Sequence, residues 1–150
     1  MNRRVLLVVT ASAAVLGPHA FAAPALTPLD KTAIFAAAGF KTKGGQHVRC
    51  AEDTAPSYMP GSIEGADLNG DGLPEAFVRE SSTFCYGNTA ESFVLVTKGK
   101  DGKWLKLMDE VGIADVKSSK TNGWPDIEVG GPGMGPFPVF RFNGKTYVRR

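Results

Sequence analysis

From residue 75 onward the chain reads as short runs in which apolar and polar side chains alternate, broken by glycine. Residues 75–80, 92–98, 103–108, 126–129, 139–142 and 145–149 are rich in β-branched and aromatic types and predict strands. Two hairpins are signalled locally. One turns at Lys100, Asp101 and Gly102, and the other at Asn143 and Gly144, an Asn-Gly pair supplying the positive φ that a tight hairpin turn needs. Before residue 75 the pattern changes. Over residues 30–40, Ile34, Phe35 and Ala38 fall close to helical spacing, with Thr27 as N-cap, Pro28 in the first turn and Gly39 as the stop. Residues 46–50 predict a short strand, and residues 53–62, punctuated by Pro56, Pro60 and Gly61, predict a loop.

These elements predict a mainly β fold with a minor α component: a short N-terminal helix, then antiparallel hairpins or a meander. A weak internal repeat is visible. Leu73-Pro74-Glu75-Ala76-Phe77-Val78, a further strand and Gly102-Lys103-Trp104 parallel Trp124-Pro125-Asp126-Ile127-Glu128-Val129, a further strand and Gly144-Lys145-Thr146. Units of this kind resemble one or two propeller blades, too few to close a propeller, and shared turn residues alone would also produce the likeness.

The first residues add a second layer. Arg3 and Arg4, an apolar run from Val5 to Leu16, a Gly17-Pro18 break and Ala20-Phe21-Ala22 are the parts of a secretory signal peptide. The apolar run falls short of the ~20 residues of a membrane span. We therefore expect residues 1–22 to be removed, leaving one domain over residues 23–150, periplasmic or secreted, with no membrane span. Loss of Arg3 and Arg4 lowers Lys plus Arg from 17 to 15, against 15 acids, so the remaining domain is formally neutral. That neutrality argues against a nucleic-acid partner. In an oxidising compartment Cys50 and Cys85 are expected to pair as a disulfide, and no Cys-x-x-Cys spacing favours the alternatives, a redox pair or a free nucleophile.

One motif carries chemistry. In Asp67-Leu68-Asn69-Gly70-Asp71-Gly72-Leu73-Pro74-Glu75, side-chain oxygens recur at loop positions 1, 3, 5 and 9, glycine sits at 6, and the Leu73 carbonyl at 7 offers one more oxygen. Ca²⁺ takes six to eight oxygens in such wrapping loops, whereas Mg²⁺ holds on to its waters. The stretch, with Ala76-Phe77-Val78 after it, resembles the calcium loop and following strand of FG-GAP and VCBS-type repeats, known from integrin-like propellers and secreted bacterial proteins. The resemblance implies Asp67, Asn69, Asp71 and Glu75 as side-chain ligands and Leu73 as a carbonyl ligand. It covers about a dozen residues closely, and the second unit lacks the acidic run. Position 12 is Val78 and not the bidentate glutamate of an EF-hand, so weak affinity and a structural ion are expected. Asn69-Gly70 and Asp71-Gly72 would also serve as plain turn dipeptides, although a turn needs neither Asp67 nor Glu75.

Other constellations are thinner. His47 is the one histidine outside the leader, and no Gly-x-Ser-x-Gly elbow accompanies it. Glu64, Glu80, Glu91 and Glu128 offer carboxylates for a glycosidase-like pair, at separations the sequence does not define. The glycine-rich run at 130–136 lacks the Gly-Lys-Ser/Thr ending of a phosphate loop. Tyr86 and Trp124 are placed in loops and are candidates for a binding surface. The expectation is an exported calcium-binding β-domain, a binding or interaction module more than an enzyme, with a protein or glycan partner in the cell envelope. A small inhibitor or immunity-type protein and a carboxylate-dependent envelope hydrolase are the alternatives.

Overall fold

Thr27 starts the first element by closing a capping box: its Oγ accepts from the Asp30 N–H at 3.1 Å, and Asp30 Oδ2 accepts from the Thr27 N–H at 3.1 Å. The helix that follows, α1, spans Pro28–Ala37. The computed structural model describes residues 25–133 and 135–149, so the expected leader at 1–22 and Met134 of the glycine-rich run lie outside the described residues. No helix among the described residues is long and apolar enough to cross a membrane.

Two short strands, β1 (Lys41–Lys43) and β2 (Gln46–Val48), form a hairpin through Gly44 and Gly45, both at positive φ. β3 (Met59–Ala66) follows, and its first half occupies residues read from the sequence as loop. Pro60 and Gly61 are the cause of the misreading. Proline is tolerated here because β3 is an edge strand. Glycine is required because a Cβ at position 61 would stand 2.6 Å from the Phe40 ring and 2.9 Å from that of Phe35.

β3, β4 (Glu75–Ser81), β5 (Glu91–Lys98) and β6 (Trp104–Val111) form a four-stranded antiparallel meander in that order. Between β4 and β5 lie the short helix α2 (Thr83–Tyr86) and one 3-10 turn at Gly87–Thr89. The chain then passes through the single residue Gly112 into a second meander: β7 (Ile113–Thr121), β8 (Trp124–Gly130), β9 (Val139–Phe142) and β10 (Tyr147–Arg149). Gly112 has φ +150°, and a Cβ there would meet Val129 Cγ1 at 2.4 Å, so only glycine makes this corner. β7, like β1 and β3, is a strand that the sequence pattern does not predict. The sequence repeat maps onto β4 and β8, the second strand of each sheet, so each unit has four strands, not three.

Three layers result. The two sheets share one core, Phe77, Phe93, Leu95, Leu107 and Met108 from the first against Ile127, Val129, Phe140, Phe142 and Tyr147 from the second. The opposite face of the first sheet, with Ala76, Val78, Val94, Val96 and Trp104, buries α1 through Ile34, Phe35 and Ala38. Asp30 ties the helix start to that sheet, accepting from Lys98 Nζ at 2.7 Å and Trp104 Nε1 at 3.2 Å. The outer face of the second sheet is polar: Asp126 accepts from Ser119 and Thr121 at 2.8 and 2.7 Å, and Lys117 bridges Asp115 and Glu128. The fold is thus mainly β and antiparallel, with two short helices and the Cys50–Cys85 disulfide. The described residues form no closed propeller: they make two four-stranded sheets, and α1 covers the outer face of the first.

Candidate metal centre

The 67–75 loop joins β3 to β4, and its side chains hold its own backbone. Asp67 accepts from the Gly70 and Gly72 N–H groups at 2.8 and 3.1 Å, Asn69 Oδ1 from Asp71 at 2.9 Å, and Asp71 Oδ1 from Leu73 at 2.8 Å. Gly70 and Gly72 both adopt positive φ, which bends the loop around these oxygens. Asp67 and Asp71 are carboxylates with further lone pairs available beyond these bonds. The three carboxylates of Asp67, Asp71 and Glu75 do not all approach within 4.8 Å of one another. The one such group among the described residues is Cys50, Glu52 and Cys85, whose sulfurs are consumed in the disulfide. The donor set is all oxygen, the chemistry a hard cation takes, but its three carboxylates do not converge on one point.

Glu75 forms the floor of the loop and is 0 % exposed. It accepts from the Leu68 N–H at 2.8 Å and Thr97 Oγ at 2.7 Å, and no lysine or arginine among the described residues pairs with it. Burial pushes its carboxyl above the ordinary carboxylate range; the charges of Asp71 and Asp67 add to the shift, and the two hydrogen bonds oppose it.

At the other end of β4, about 17 Å away at ~3.3 Å per residue, Glu80 is 1 % exposed and very differently served. It accepts from the Arg49 N–H at 2.8 Å, the Cys50 N–H at 3.2 Å, the Tyr58 hydroxyl at 2.5 Å and the Tyr86 hydroxyl. Burial raises the phenols of Tyr58 and Tyr86, and their bonds to Glu80 add to it; Tyr86 is pushed up to about 12. Arg49 also forks onto Asp109 at 2.9 and 3.4 Å. Nothing local in the sequence marked this network, whose members lie 6 to 31 residues from Glu80.

The remaining candidates fall as follows. Tyr86 is half-buried with its hydroxyl on Glu80, and Trp124 opens β8 and packs on Phe142 and Tyr147 at ring distances of 4.8 and 6.4 Å. His47 stacks on Phe35 at 3.8 Å. Glu64 and Glu91 both pair with Arg79, and Glu128 with Lys117, so these acids are already engaged in ion pairs. Among the described residues the exposed aromatic is Phe84, in α2 beside Cys85, which the sequence does not single out because nothing in a four-residue stretch reveals which side faces water. A scan of the chain against protein-family models matches none, and comparison with curated proteins and with solved structures likewise finds no match.

Proposed function

We propose that this protein is an exported binding domain of the cell envelope, organised by a structural Ca²⁺ in the 67–75 loop. The supporting observation is the contrast along β4. Glu80 is buried with four donors, while Glu75 is buried with two and no positive partner, beside two further carboxylates. A buried carboxylate without a counter-charge is costly, and a cation held by Asp67, Asn69, Asp71, the Leu73 carbonyl and Glu75 would relieve it. The ion would fix the β3–β4 connection and do no chemistry. Export follows from the leader-like residues 1–22, and the Cys50–Cys85 bond is consistent with it.

The test is calorimetric titration of the EDTA-stripped protein with Ca²⁺ and Mg²⁺, with a thermal melt and the Asp71→Ala variant alongside. The expected result is calcium-selective heat with Kd in the ~10⁻⁴ to 10⁻³ M range of extracellular sites. At tenfold excess over Kd the ion should add about 1.4 kcal/mol of stability. Both effects should vanish in Asp71→Ala. Absence of heat and of stabilisation at millimolar calcium would reduce the loop to a turn held by its own side chains.

A further inference from the structure

Phe84 is 71 % exposed and is the one aromatic among the large exposed hydrophobics of the described residues. It is also held outward. Ser82 Oγ caps α2 by accepting from the Cys85 N–H at 2.9 Å and donates to Asp53 Oδ2 at 2.7 Å. Cys85 is bonded to Cys50, and the Tyr86 hydroxyl is fixed on Glu80. With residues 82, 85 and 86 each pinned, the Phe84 ring has no route into the core. A ring carried on a fixed backbone and free only about its own two χ angles loses little freedom when it is covered, which favours binding.

Beside the ring lies a cleft of about 430 Å³, lined by Glu52, Asp53, Thr54, Ala55, Thr83 and Phe84. Its size lies within the ~300–1,000 Å³ of small-molecule sites. The Thr54 and Thr83 hydroxyls and the Glu52 carboxylate make no side-chain hydrogen bond within the described residues, so donors and acceptors stand free around one apolar platform. A pyranose has the matching chemistry: an apolar C–H face for the ring, whose face carries partial negative charge, and hydroxyls on its rim for the carboxylates and threonines. Glu52 and Asp53 disfavour an anionic sugar. A protein partner fits less well, since Phe84 and Ala55 are the only apolar side chains lining the cleft, whereas protein interfaces centre on a desolvated apolar core.

We infer that the cleft between the 51–55 loop and α2 is a binding site for an uncharged saccharide, with Phe84 as its stacking platform. The inference rests on the reading of the protein as a binding domain and names its ligand class, but it does not use the calcium loop. Calcium enters at the start of β4 and the saccharide beyond its end.

The experiment is an NMR titration of the ¹⁵N-labelled protein with cellobiose, N,N′-diacetylchitobiose and digalacturonate. The neutral disaccharides should shift amides in 51–55 and 83–88, digalacturonate should not, and Phe84→Ala should weaken binding about tenfold while Phe84→Tyr preserves it. Repeating the titration in EDTA and with Asp71→Ala should leave saccharide affinity within a factor of two or so, because the sites are separate. The saccharide site is overturned if neither neutral disaccharide shifts these amides up to its solubility limit, or if Phe84→Ala binds as tightly as the parent. Calcium binding with no saccharide binding defeats the cleft alone. Saccharide binding with no calcium heat defeats the loop alone.

Discussion

Glu75 and Glu80 show how far the same residue type can diverge within one strand. Their side chains lie on opposite faces of β4, because the two positions differ by an odd number. Glu80 meets backbone N–H groups and two phenols, so its negative charge is spread over four donors. Burial first, and the bonds to Glu80 after it, hold these phenols above their ordinary value. Tyr86 is raised from an ordinary value of 10 to about 12, so its folded-state value lies above its unfolded one. The neutral hydroxyl therefore stabilises the fold fully below pH 10, and that contribution is lost as pH rises through about 12. Replacing Tyr86 with Phe should cost about 1.5–3 kcal/mol at neutral pH, the range for a hydrogen bond to a charged group. The same change should make the loss of stability above pH 10 shallower, though not flat, since Tyr58 and Tyr147 are raised too. Urea denaturation at a series of pH values decides the matter, and equal alkaline slopes in parent and variant would count against the Glu80 network.

Among the elements, β3 and β7 are the informative ones, because both are strands despite their composition. β3 carries Pro60 and Gly61 near its start and passes directly under Phe40 and Phe35. Gly61→Ala should therefore overpack this contact and destabilise the protein by about 1–3 kcal/mol. Chemical denaturation measures this, and an unchanged midpoint would mean that β3 does not run beneath those rings. β7 holds Lys117-Ser118-Ser119-Lys120, with no apolar alternation to read. Its strand state comes from pairing with β8 across an Asn122-Gly123 turn, both residues at positive φ; in the β9–β10 hairpin only Gly144 is, and Asn143 holds that wider turn by accepting from the Lys145 and Thr146 N–H groups instead of adopting the positive φ expected of an Asn-Gly pair. By contrast α1 is set by its own residues, since Thr27, Pro28 and Asp30 satisfy the helix start without help from the rest of the chain.

At the scale of the whole molecule, the helix, first sheet and second sheet stack so that the first sheet is buried on both faces, and its two ends carry the two candidate sites. The disulfide belongs to one end only. It closes a loop with a sequence separation of 35 residues, and at that length the unfolded chain loses entropy worth about 3–4 kcal/mol. Replacing both cysteines with serine should lower stability by about that amount in a denaturation experiment. The same variant should release α2 and impair saccharide binding at Phe84, while calcium binding at the 67–75 loop persists. Equal stability with and without the bond would show that the Glu80 network alone holds this end.

By itself the sequence determined what neighbouring residues decide through backbone angles, periodicity and spacing. It marked the start of α1, the hairpins at Gly102 and Asn143-Gly144, the cysteine pair, and the oxygen spacing of the 67–75 loop. Tertiary structure decided whatever depends on partners distant in the chain. A polar stretch such as β7 becomes a strand through its ladder with β8. Gly61 and Gly112 are required by rings and backbone brought in from elsewhere. Whether a buried glutamate meets four donors or two, and whether Phe84 or Tyr86 faces water, depends on which side chains the fold brings to it. Burial and hydrogen-bond satisfaction are properties of a three-dimensional neighbourhood, and local sequence carries no record of them.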